Sequence, residues 1–135
     1  VDADRLAVPA LETTDSRVVE VRVAGPAALI LAKAHKIDDR SGSDRSSDKD
    51  ALDVLRLLRG VTTEELERRY RRLLADERSR EVAERGLGLL REQFGRRGGS
   101  GVAMAIRAVA GLADPDEVSA SCLALAGDLL AALQR

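Results

Sequence analysis

The sequence predicts a mainly α-helical protein, an N-terminal β-hairpin followed by a bundle of about six helices, on three observations. Apolar residues make up 44% of the 135-residue chain, yet Tyr70 and Phe94 are its only aromatics, so Ala, Leu and Val must build the core. After Gly25 the apolar residues recur at spacings of three and four; before it they alternate. Cap and breaker residues separate the periodic runs. The length is that of one ordinary domain, read as a hairpin over residues 1–24 and a helical part over 25–135.

The first extended stretches are LAVPA, residues 6–10, and RVVEVRVA, residues 17–24, joined by the turn-forming ETTDS. In the second, Val19, Val21 and Val23 alternate with Glu20 and Arg22, the period of a half-buried strand. An isolated two-stranded hairpin is marginal in water. The strands therefore either lie on the helices or form the edge of a larger sheet, which would make the class α+β. Gly25-Pro26 breaks the strand and opens a helix that runs to about Arg40. SGSDRSSD reads as a flexible loop, and Ser47 or Asp48 as the cap of a helix over about 49–60 that buries Leu52, Leu55 and Leu58.

Thr62 and Glu65 have capping-box spacing and open a third helix with Leu66, Tyr70 and Leu73 as its stripe. A fourth helix spans about 79–95, with Ala83, Leu87, Leu90 and Phe94 inward. GRRGGSG, residues 95–101, reads as a flexible connector. A fifth helix over about 101–111 turns Val102, Ile106 and Val109 inward. Asp114-Pro115-Asp116-Glu117 starts the last helix, whose stripe is Val118, Cys122, Leu125 and Leu129.

A formal net charge of -1 gives the domain no overall attraction to nucleic acid or anionic membrane. Arg68-Arg69-Tyr70-Arg71-Arg72 is the densest basic run, but Glu64, Glu65 and Glu67 lie within one turn, so a solvated helix face is expected. Cys122 is alone, which excludes an intrachain disulfide and makes the cytoplasm the simplest compartment, and with no second His beside His35 there is no Cys/His set to build a zinc site. No apolar run reaches the ~20 residues of a membrane span, and VDADRLAVPALE lacks the pattern of a signal peptide. A chain that starts at Val1, with Met104 its only methionine, fits either removal of an initiator Met or a piece of a longer protein.

The candidate chemistry lies in LILAKAHKIDDR, residues 29–40. Lys33 sits among Leu29, Ile30, Leu31, Ala32 and Ala34, and a buried ammonium is costly unless an anion meets it. Lys36 and Arg40 follow three and four residues on, so all three share a face. KDALD opens the next helix with Asp50 and Asp53 on one face. If the two helices pack antiparallel, Lys36 and Arg40 meet Asp50 and Asp53. That arrangement is either a set of solvated ion pairs, with Lys33 snorkelling out, or a site in which Lys33 holds a phosphate.

RVAGPAALILAKAHKIDDR, followed across a polar loop by KDALDVLRLL, resembles the carboxyl-side motifs of the AbiEii-like abortive-infection nucleotidyltransferases, the toxins of type IV toxin–antitoxin systems. Their pattern is a strand, a Pro-started helix with A-x-K-x-H-x-[LI], an Arg near its end, then [RK]-D-x-x-D-[LV]. Lys33, His35, Ile37 and Arg40 fit the first part; Lys49, Asp50, Asp53 and Val54 fit the second. The resemblance, over about residues 18–60, implies that Lys33, with Lys36 and Arg40, binds nucleotide phosphate. It places Asp50 in the active site as a catalytic carboxylate, with Asp53 as second choice. It further implies Mg2+ and a nucleoside triphosphate as cofactor and substrate, and tRNA and a cognate antitoxin as partners. The family's Gly-Ser signature followed by Asp-x-Asp does not occur here. Asp2-Ala3-Asp4 has the second spacing, but no glycine-rich turn precedes it. Without paired metal carboxylates the 135 residues alone are expected to be inactive, contributing a substrate-side half to an N-terminal catalytic core. The competing expectation is a non-catalytic helical interaction module.

Overall fold

The computed structural model describes residues 1–40 and 46–135. It is mainly α, as the periodicity predicts. Two strands, β1 (Ala3–Pro9) and β2 (Val18–Ala24), precede six helices: α1 (Pro26–Asp39), α2 (Ser46–Gly60), α3 (Thr63–Ala75), α4 (Arg80–Phe94), α5 (Ser100–Ala108) and α6 (Pro115–Gln134). α4 lies at the centre, packed against α1, α3, α5 and α6, while α2 is held between α1 and α5. No helix among the described residues is long and apolar enough to cross a membrane.

The strands pair antiparallel from Ala3 opposite Ala24 to Pro9 opposite Val18. β1 starts earlier than its alternation suggests because the Gly25 N–H donates to the Asp2 carbonyl at 2.9 Å and extends the ladder. Leu6, Val8, Val19, Val21 and Val23 share one face, since opposed residues point the same way. Neither strand has more than marginal contact with any helix. Leu6 is accordingly 51% exposed and Val19 60%. Of the two placements left open by the sequence, the hairpin does not lie on the helices.

The hairpin is tied down at its base. The Asp2 carboxylate, almost fully buried, accepts from the Ala28 N–H at 2.8 Å and so caps the first turn of α1. Arg69 on α3 donates to the same carboxylate at 2.8 Å, to Asp4 at 3.0 Å and to Glu65 at 2.6 Å. Gly25 is required by this approach: a Cβ there would stand 2.3 Å from Asp2 Oδ1. Asp2 and Asp4 therefore hold an arginine.

The helical stripes are buried largely as the spacing predicts. Thr62 Oγ1 accepts from the Glu65 N–H at 3.2 Å, and the Asp114 side chain accepts from the Asp116 N–H at 2.8 Å. The Glu65 carboxylate does not complete the capping box, because Arg68 and Arg69 take it. Two boundaries differ. α2 begins at Ser46, so Ser47 and Asp48, expected as caps, lie inside it and are buried. Of the expected loop, residues 41–45 lie outside the described residues. α5 ends at Ala108, and the chain turns back through Gly111 at φ 79°. Met104 and Ala105 are buried there in place of Ile106 and Val109, which are half-buried. In α4 the close neighbour is Gly86 rather than Leu87: a Cβ at Gly86 would meet Leu31 Cδ2 at 2.3 Å. Within GRRGGSG, Gly99 lies against the Gln93 carbonyl and Gly101 against the Phe94 ring, whereas Gly98 has no such neighbour and takes a positive φ of 72°.

Candidate functional site

α1 and α2 pack antiparallel, and Lys33 finds its anion inside the protein. Its Nζ stands 3.0 Å from Asp50 Oδ1 and 2.9 Å from Asp53 Oδ2. Lys36 Nζ lies 2.7 Å from Asp50 Oδ2, close enough for an ion pair but off the hydrogen-bond line. The sequence places Lys36 on Asp50 correctly and reserves Arg40 for the same face. Arg40 instead caps α1, with φ -107°, and donates to Ser46 Oγ at 3.2 Å. One residue past the helical turn, it no longer follows the stripe of Lys33 and Lys36.

The two carboxylates are not equivalent. The Asp50 side chain is 9% exposed and the Asp53 side chain 40%. Lys33 lies between them at 21%. Burial is the largest influence on Lys33 and works against its charge, but the bonds to Asp53 and Asp50 outweigh it and hold the amine above its ordinary pKa. Burial likewise works against the Asp50 carboxylate, and Lys36 and Lys33 together outweigh it, keeping the group below the ordinary carboxylate value of 3.8. A carboxylate depressed on folding contributes stability that is present above its unfolded pKa and lost as pH falls through its folded one. The Asp50 contribution is therefore intact at neutral pH and disappears below about pH 3.8. Acid titration of the thermal midpoint checks this: Asp50→Asn should flatten the acid limb relative to wild type.

Beyond Asp53 opens a cleft of about 610 Å³ between α2 and the end of α5. Leu52, Ala108 and Ala110 form its apolar part, and Asp48, Lys49, Asp53, Arg56 and Arg107 surround it. Asp48 is bound by Arg107 through Nε at 3.2 Å and Nη2 at 2.8 Å. Sequence reasoning misses Arg107, because its partner is 59 positions away. Arg56 approaches Asp53 at 3.4 Å. Asp53 thus belongs both to the Lys33 cluster and to the cleft wall.

Magnesium does not fit Asp50 and Asp53 as they stand, because ammonium groups occupy the positions a cation would take. Among the described residues no group of three or more His, Cys, Asp or Glu side chains could hold a metal. His35 faces α4, its Nε2 3.1 Å from the Val82 carbonyl, consistent with a packing role. Burial pushes the Cys122 thiol up to about 11, which leaves it protonated and unreactive at neutral pH. Arg68 and Arg71 pair with Glu65 and Glu67, and Arg69 holds the hairpin, so the basic run presents little unmatched charge to a polyanion.

Comparison of the chain with protein-family models, with curated proteins and with solved structures finds no match in any of the three.

Proposed function

We propose that the chain is the carboxyl-side helical portion of a nucleotidyltransferase-like protein, with Lys33 as the ligand for a nucleotide phosphate and the hairpin as the edge of the catalytic core's sheet. The observation that carries the reading is the uneven pairing of Lys33. Asp50 is its buried, fixed counter-ion, whereas Asp53 is exposed and exchangeable. An incoming phosphate oxygen replaces Asp53 on the amine, at little desolvation cost because the amine is already neutralised in the resting state. The hairpin supports the same reading, since its aliphatic face has no helix over it. No metal step is assigned to Asp50 or Asp53. A tRNA acceptor and a protein antitoxin, the partners the resemblance implies, have no surface here that argues for them.

Label transfer from radiolabelled ribonucleoside triphosphates by the natural gene product tests the proposal. Asp53→Asn removes the competitor for Lys33 without orphaning a buried charge. It should tighten triphosphate binding by roughly threefold to tenfold, a difference of about 0.7–1.4 kcal/mol, with little change in the melting midpoint. Unchanged or weaker binding in that variant removes the exchange mechanism.

A second reading, a non-catalytic helical interaction module, is favoured by one observation: Lys33, Lys36, Asp50 and Asp53 neutralise one another completely, as structural ion pairs do.

A further inference from the structure

We propose that the cleft between α2 and the end of α5 is a binding subsite for a phosphate ester carried on a flat, weakly polar body, a mononucleotide being the class that fits. Its volume of about 610 Å³ suits a ligand of that size. Leu52, Ala108 and Ala110 give the body an apolar surface.

The charges give the anion preference. Lys49, Arg56 and Arg107 face the cleft against Asp48 and Asp53, and Asp53 also answers Lys33 in the neighbouring cluster. The cleft therefore carries surplus positive charge in a chain of formal net charge -1. Asp48 is buried and grips Arg107 by Nε and Nη2, which fixes the guanidinium and leaves Nη1 for a ligand. Lys49 is exposed, and no bond to it is formed among the described residues. Among the described residues Arg56 has only its 3.4 Å approach to Asp53. A fixed arginine beside two adaptable cations, over an aliphatic floor, matches a phosphate at one end of a less polar ring system. Asp53, on the shared wall, separates this subsite from Lys33, so a ligand in the cleft lies next to the amine that the proposed function assigns to a phosphate. The choice of a nucleotide rests on that reading; the preference for an anion rests on the cleft's own charges.

Titration of the 135-residue chain with AMP, adenosine and inorganic phosphate, followed by amide chemical shifts at low ionic strength, tests the subsite. AMP should shift Leu52, Asp53, Ala108 and Ala110, and the affinity should fall as salt rises. Adenosine and phosphate should each bind at least about tenfold more weakly than AMP. The double variant Lys49→Ala/Arg56→Ala removes exposed side chains and should fold normally while weakening AMP by about tenfold or more. Shifts confined to the surroundings of Lys33 and Lys36, or full affinity in the double variant, overturn the subsite while leaving the phosphate role of Lys33 standing. No shift anywhere at about 10 mM AMP also overturns it, and label transfer by the natural gene product then decides the proposed function separately.

Discussion

Lys33→Met in the natural gene product is expected to abolish nucleotide transfer, by roughly 100-fold or more, because the amine is the group proposed to meet the phosphate charge. The loss is not expected to be free of structural consequence. Lys33 bridges Asp50 and Asp53, and without it, among the described residues, Asp50 keeps only Lys36 and Asp53 only Arg56. Losing charged hydrogen bonds to a buried carboxylate costs about 1–3 kcal/mol, which the partial exposure of the amine and the remaining Lys36 hold to the lower part of that range. For a chain of this size the midpoint should fall by roughly 3–10 °C. Transfer must therefore be assayed where circular dichroism shows both proteins folded. Retained transfer alongside the lowered midpoint would make the lysine architectural and leave the interaction-module reading in possession.

Arg69→Ala is expected to produce the largest loss of stability of any substitution considered. Its guanidinium, with its side chain 17% exposed, is the counter-ion of Asp2, which is buried at the first turn of α1. Removing one member of a buried pair leaves the other charge uncompensated, at a cost of about 2–4 kcal/mol, or a midpoint lowered by about 10 °C. Asp2→Ala should cost less, because it removes the buried charge itself, and the double variant should cost little more than Arg69→Ala alone. Gly25→Ala should act in the same direction by pushing the Asp2 carboxylate off Ala28 and Arg69. Amide exchange should show the hairpin losing protection ahead of the helices in each variant. Additive effects of Asp2→Ala and Arg69→Ala would mean the two side chains act independently.

The parts of this architecture legible in the sequence are those that local rules govern. Leu66, Tyr70 and Leu73, or Val118, Cys122 and Leu129, announce their helices by spacing alone, and Thr62 and Asp114 announce where two helices start. The pairing of Lys36 with Asp50 is legible for the same reason, since a short connection forces neighbouring helices to pack antiparallel. What is not legible is set by partners distant in the chain. Asp48 looks like a cap until Arg107 reaches it, and Arg69 looks solvated until Asp2 and Asp4 enclose it. Lys33 reads as an amine waiting for an outside anion because nothing local shows that it, rather than Arg40, reaches Asp53. The difference in exposure between Asp50 and Asp53 is also beyond periodicity, because both lie on one helical face and only the position of α5 and the open cleft separates them.

Asp2 joins three things at one carboxylate: the root of the ribbon, the arginine of α3 and the opening turn of the helix that carries Lys33 two turns further on. Shifting the ribbon's root would withdraw that carboxylate from the Ala28 N–H and from Arg69 together, so the hairpin and the start of the first helix share a single anchor.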